Sequence, residues 1–78
     1  MTMTTRIFNV DGYRGTAAAV VRELHNASRA PARDDATWMK QVAGRVKVLT
    51  GKTIRLATAE DFVEDILTLD LVQHLKGN

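Results

Sequence analysis

Lys52-Thr-Ile-Arg-Leu-Ala-Thr-Ala-Glu-Asp-Phe-Val-Glu-Asp-Ile-Leu-Thr-Leu69 changes its hydrophobic period in mid-run. Up to Ala57 the residues alternate, with Ile54 and Leu56 on one side and Thr53, Arg55 and the small Ala57 on the other, which is strand spacing. Thr58-Ala-Glu-Asp61 then resembles a capping box, with Asp61 in place of the preferred Glu or Gln, and Phe62, Val63, Ile66 and Leu69 recur at helical spacing. A strand feeding a helix predicts an α+β class. At ~100° per residue the helical stripe centres near Ile66, whereas Leu71, Val72 and Leu75 fall on roughly the opposite side of the wheel. The helix is therefore expected to break near Leu69-Asp70. Asp70 would cap a short final helix that turns Leu71, Val72 and Leu75 onto the core or onto a partner.

Working outward, Arg6-Ile-Phe-Asn-Val10 is rich in β-formers and ends at Asp11-Gly12, which predicts a strand over 5–10 with Phe8 and Val10 inward and a stub of hairpin over Tyr13 to Gly15. Thr16 is placed to cap a first helix over 17–28 that buries Val20, Val21, Leu24 and Ala27. Arg29-Ala-Pro-Ala-Arg33 breaks it, since proline disfavours helical geometry in the residue before it. Asp34 or Asp35 can start a second helix over 36–50, with Trp38, Met39, Val42, Val46 and Leu49 inward and Gly51 as its left-handed stop. The expected order is β-α-α-β-α in a small single domain over 5–76, with three main helices, a short two-stranded sheet and a disordered tail over 1–4.

The chain has 78 residues, 45% hydrophobic and 26% charged, ordinary values for a folded domain that argue against global disorder. With no cysteine there is no disulfide and no thiolate metal site, which fits a reducing cytoplasm. No apolar run approaches the ~18 residues of a membrane span. The expectation is a cytoplasmic protein that needs no cofactor.

Motifs that carry chemistry are few. Gly51-Lys52-Thr53 looks like the end of a phosphate-binding loop, but Val46 stands where the earlier glycine belongs, a helix precedes it and a strand is expected after it. A helix stop explains the same residues. His25 and Ser28 are neighbours at three-residue spacing, yet one helix supplies no third group and no oxyanion site, and Glu23 points away, so His25 is read as a surface histidine. His74, with no second imidazole nearby, is read as solvent-facing or interfacial. Glu60, Asp61, Glu64 and Asp65 share one side of the third helix. They could hold a divalent cation, but acids in a first helical turn already complement its dipole.

Charge gives the remaining functional signal. Residues 1–57 carry ten Lys/Arg against four Asp/Glu, and residues 58–78 one against five, beneath an overall +2. Such a split can close the chain on itself, pair two copies, or present a basic face to an anion. The leading expectation is a non-enzymatic protein-interaction module, self-associating, whose contact face combines Glu60 and Glu64 with Leu71, Val72 and Leu75. The alternative is a nucleic-acid-binding accessory protein using Arg22, Arg29, Lys40, Lys47 and Arg55. Against it, the connector over 29–35 is too long for a standard helix-turn-helix, and Phe8, Trp38 and Phe62 fit apolar faces better than a stacking platform. Gly44, mid-helix, either admits a close neighbour or is tolerated slack.

Overall fold

A computed structural model describes residues 6–28 and 32–75. The expected tail over 1–4, Arg29, Pro31 and Lys76 lie outside the described residues. The order is β1 (Phe8–Val10), β2 (Tyr13–Gly15), α1 (Ala17–Ala27), α2 (Asp35–Thr50) and α3 (Ala59–Thr68), then a 3-10 turn at Val72–His74. The α+β class, the three helices and the two-stranded sheet are as the sequence indicates.

The sheet is a hairpin made by the chain's first strand and the stub after it. Phe8 pairs with Gly15, Asn9 with Arg14 and Val10 with Tyr13, antiparallel. Asp11 and Gly12 have φ of 53° and 87°, the two positive values of a type I′ turn, whose twist matches that of paired strands. The strand expected over 52–57 is absent, so the order is β-β-α-α-α. Residues 51–56 lie outside any strand, and the Arg55 N–H donates to Asp65 Oδ2 at 2.9 Å instead of to a neighbouring strand. Alternation is only partly realised there: Ile54 is buried and Leu56 is exposed.

Each helix starts on a side-chain cap. Thr16 Oγ1 accepts from the Ala19 N–H at 3.2 Å, Asp34 Oδ1 from Thr37 at 2.7 Å, and Thr58 Oγ1 from Asp61 at 3.0 Å. Gly51, at φ 77°, ends α2 with its N–H on the Lys47 carbonyl. α3 stops where the sequence places the break, by a different device. Asp70 adopts φ 56°, its N–H reaches the Leu67 carbonyl, and the Leu71 N–H reaches the Ile66 carbonyl at 2.9 Å. That pair of bonds is a Schellman stop, with buried Leu71 packing back beside Ile66. Asp70 is thus the left-handed residue after α3 and not the cap of the next turn, which has no side-chain cap.

One core takes Phe8 and Val10 from β1, Val20, Val21 and Leu24 from α1, Trp38, Val42 and Val46 from α2, Ile54, and Phe62, Val63 and Ile66 from α3. Leu71 and Leu75 complete it, each 1% exposed. Of the two destinations the sequence leaves open for these leucines, the structure takes the core. Leu49, expected inward, is 59% exposed. α2 has 16 residues against 11 and 10 in α1 and α3. Val46 is the last buried residue of α2 and all four residues after it, 47–50, are exposed, so the final turn stands clear of the core and carries Leu49 with it. Among the described residues no helix is long and apolar enough to cross a membrane.

Candidate functional site

Two arginines from distant parts of the chain close on the acidic side of α3. Arg6, stacked 4.8 Å above the Phe8 ring, donates to Glu64 Oε2 at 2.7 Å. Arg55 forks onto Asp65, with Nη2 2.9 Å from Oδ1, and reaches Glu64 at 3.1 Å and Asp61 at 3.4 Å. The Arg6 hydrogen bond, then that of Arg55, holds the Glu64 carboxyl below its usual range, and the Arg55 hydrogen bond does the same for Asp65. Glu60 is exposed on the same side, within the field of Arg6. The charge split thus closes the chain on itself through this face.

That closure changes the roles read from the sequence. Arg55 is committed to carboxylates of its own chain, so it does not belong to a face for external anions. The expected contact face loses its apolar half, because Leu71 and Leu75 are core and only Val72 is half-buried at the surface. Arg22 leans toward Asp35 at 3.6 Å. Arg29 lies outside the described residues. Lys40 and Lys47 remain, and they stand together.

α2 positions them. Lys40, Gly44, Lys47 and Val48 follow i, i+4, i+7 and i+8, a stripe on the solvent side opposite Trp38, Val42 and Val46. Lys47 Nζ donates to the Gly51 carbonyl at 3.3 Å and to Thr53 Oγ1 at 3.2 Å. Lys52 Nζ donates to the Leu69 carbonyl at 3.3 Å, and Arg45 Nη2 to that of His74 at 2.7 Å. Carbonyls and hydroxyls orient these cations without cancelling their charge. Among the described residues none of Lys40, Arg45, Lys47 and Lys52 has a carboxylate within ion-pair distance. Val48 completes that stripe, 84% exposed, whereas Leu49, 59% exposed, falls on the core side of the wheel past the last buried turn. Sequence reasoning finds the lysines and misses Val48, because an apolar residue off the main stripe gives no signal until the core is counted.

A second constellation lies where α1 meets the head of α2. His25, expected at the surface, is 8% exposed. Its ring stacks on Trp38 with centroids 5.6 Å apart, its Nδ1 lies 2.8 Å from Asp35 Oδ1, and its Nε2 accepts from the Ala32 N–H at 2.9 Å. On the wheel His25 falls ~90° from the centre of the apolar stripe, a flank and not the opposite side, and α2 covers that flank. An open cleft of about 520 Å³ adjoins it, walled by Arg22 and Asn26 on one side and by Arg33, Asp34 and Asp35 on the other. Its arginines are matched by its aspartates, Arg33 standing 3.5 Å from Asp34. An aspartate orienting a histidine supplies two of the three members of a nucleophile-activating triad, but the Nε2 lone pair that a base would use is already taken by Ala32. His74 contributes its backbone carbonyl to Arg45 and its half-buried ring to the surface. Among the described residues no group of three or more His, Asp or Glu side chains gathers to hold a metal.

No protein family matches the chain, and no curated protein or solved structure is significantly similar to it.

Proposed function

We propose that this protein is an interaction module whose docking face is the outer stripe of α2, and that its partner is a protein segment combining acidic and aliphatic side chains. The observation that carries the reading is Val48, 84% exposed among cations that lack a carboxylate. Carboxylates of a partner would supply the missing counter-charges, and its aliphatic groups would remove Val48 from water at ~25 cal/mol per Å² of apolar area. A second copy of this chain is the weaker occupant, because the acidic side of α3 that would meet the stripe already holds Arg6 and Arg55. Nucleic acid is weaker also. It would use the lysines but gain little from an exposed valine, and Phe8, Trp38 and Phe62 are buried, away from any base-stacking role.

Titration of the labelled protein with a short peptide bearing Glu and Leu at helical spacing, followed by NMR, tests this. The resonances of Lys40, Gly44, Lys47 and Val48 should move together, and Val48→Asp should abolish the response without unfolding the chain. Shifts confined to another surface, or none, would reject the proposal. An equal response to duplex DNA with a steep loss on adding salt would transfer the face to nucleic acid, and peptide-independent dimerisation through the stripe would transfer it to a second copy.

A further inference from the structure

His25 is the one buried polar residue among the described residues, and both ring nitrogens are committed. The Ala32 N–H can only donate, so Nε2 facing it is the bare acceptor and the proton resides on Nδ1, directed at Asp35. α1, the segment before α2 and α2 itself thus meet at one imidazole ring. We propose that His25 is a proton-operated clip: a proton added at Nε2 releases Ala32 from α1 while leaving α1 tied to α2 through Asp35.

The asymmetry follows from donor and acceptor counting. An imidazolium carries two N–H donors and no acceptor, so on the Nε2 side two donors confront each other and the bond to Ala32 is lost. On the Nδ1 side the bond to Asp35 becomes charge-assisted and tightens. The charged groups around the ring act on the two sides unequally. From α1, Arg22 shares the Asp35 carboxylate through Oδ2, leaving Oδ1 to the ring. From the segment before α2, Arg33 pairs with Asp34. Asp34 caps α2, its carboxyl held low first by the Thr37 hydroxyl and backbone N–H. The positive end of the α2 dipole opposes the imidazolium, and Asp34 and Asp35 offset it. Each of these carboxylates already has a partner other than Nε2, and the atom facing Nε2 is an amide nitrogen. Acid therefore frees the segment before α2 without separating the helices. This device concerns the α1–α2 junction and stands apart from the docking stripe.

Across a titration from about pH 8 to about pH 5, three signals on the full chain test it. NMR of the ring nitrogens should show the Nδ1–H tautomer at the upper end and the imidazolium at the lower. The exchange protection of the Ala32 amide should fall about five- to tenfold as the ring charges, the size of one net hydrogen bond. Trp38, the sole tryptophan, should dim in step, because a stacked imidazolium quenches indole emission. His25→Gln keeps an acceptor near Ala32 and cannot charge, so its Ala32 protection should be constant across the range. An Nε2–H tautomer at the upper pH, a ring that fails to charge, unchanged Ala32 protection while it does charge, or the same loss in His25→Gln would each overturn the clip. The native-chain signals decide the matter even if that variant does not fold.

Discussion

Gly44 sits in the interior of α2, where an added Cβ would meet nothing within 4 Å. Of the two roles open to it from sequence, close approach within the fold is thereby removed and slack remains. Glycine costs about 1 kcal/mol relative to alanine inside a helix. Gly44→Ala should therefore raise stability by about 1 kcal/mol, read as a higher urea midpoint at unchanged slope. A lower midpoint would mean that the position is crowded after all. Asp70 poses the complementary case, a side chain held at φ 56° where glycine usually stands. A left-handed residue with a Cβ costs ~1–2 kcal/mol, and a carboxylate at a helix C-terminus adds repulsion from the dipole. Asp70→Gly is expected to stabilise by up to about 1 kcal/mol after the extra entropy of glycine in the unfolded chain is subtracted. Gly51 was legible as a stop because glycine rarely means anything else after a helical stripe. Asp70 was not, since aspartate ordinarily begins helices, and its role depends on the Leu71 amide reaching back to Ile66.

At the scale of elements, the binding of α3 by Arg6 and Arg55 makes stability depend on pH. The carboxyls of Glu64 and Asp65 are depressed in the folded chain, first by the hydrogen bonds from Arg6 and Arg55 respectively. A depressed carboxyl stabilises the fold above its unfolded pKa, about 4 for Asp and Glu, and that contribution is lost as pH falls through the folded value. Arg55→Met should melt at a lower temperature than the native chain near neutral pH, and the two melting curves should converge in acid. A gap that persists undiminished at low pH would show that Arg55 acts by packing alone. The same arginine explains why the strand that the alternation predicts does not form. Alternation over 52–57 satisfies the strand pattern, but pattern does not say who accepts the backbone N–H groups. β1 already has β2 on a two-residue turn, and Asp65 takes the Arg55 amide. Helix positions were legible because caps and stripes agree, whereas the pairing of a short extended segment is settled only by its neighbours.

For the molecule as a whole, size sets the terms. At roughly 0.05–0.15 kcal/mol per residue, a chain of this length has about 4–12 kcal/mol of net stability. Every buried leucine is then a sizeable fraction of the total, and the residues after α3 matter as much as those within it. The sequence shows that Leu71, Val72 and Leu75 must go somewhere; it does not show where. Their direction is set by the positive φ at Asp70, which turns the chain after α3 so that Leu71 and Leu75 close the core. Charge was legible as a division but not as a destination, because the helix wheel does not reveal that Arg6 and Arg55 arrive on the same side of α3. A paired substitution separates core from contact. Leu75→Ala removes a side chain 1% exposed and should cost about 2–5 kcal/mol, enough to leave a measurable unfolded population at room temperature. Val48→Ala trims a side chain 84% exposed and should shift stability by no more than about 0.5 kcal/mol. In the acidic-peptide titration the order should invert, with Val48→Ala weakening the response and the folded fraction of Leu75→Ala giving the native one. Should Val48→Ala instead destabilise the fold as much as Leu75→Ala, the outer side of α2 would be structural, and the docking stripe would lose the residue that distinguishes it from an ordinary basic helix face.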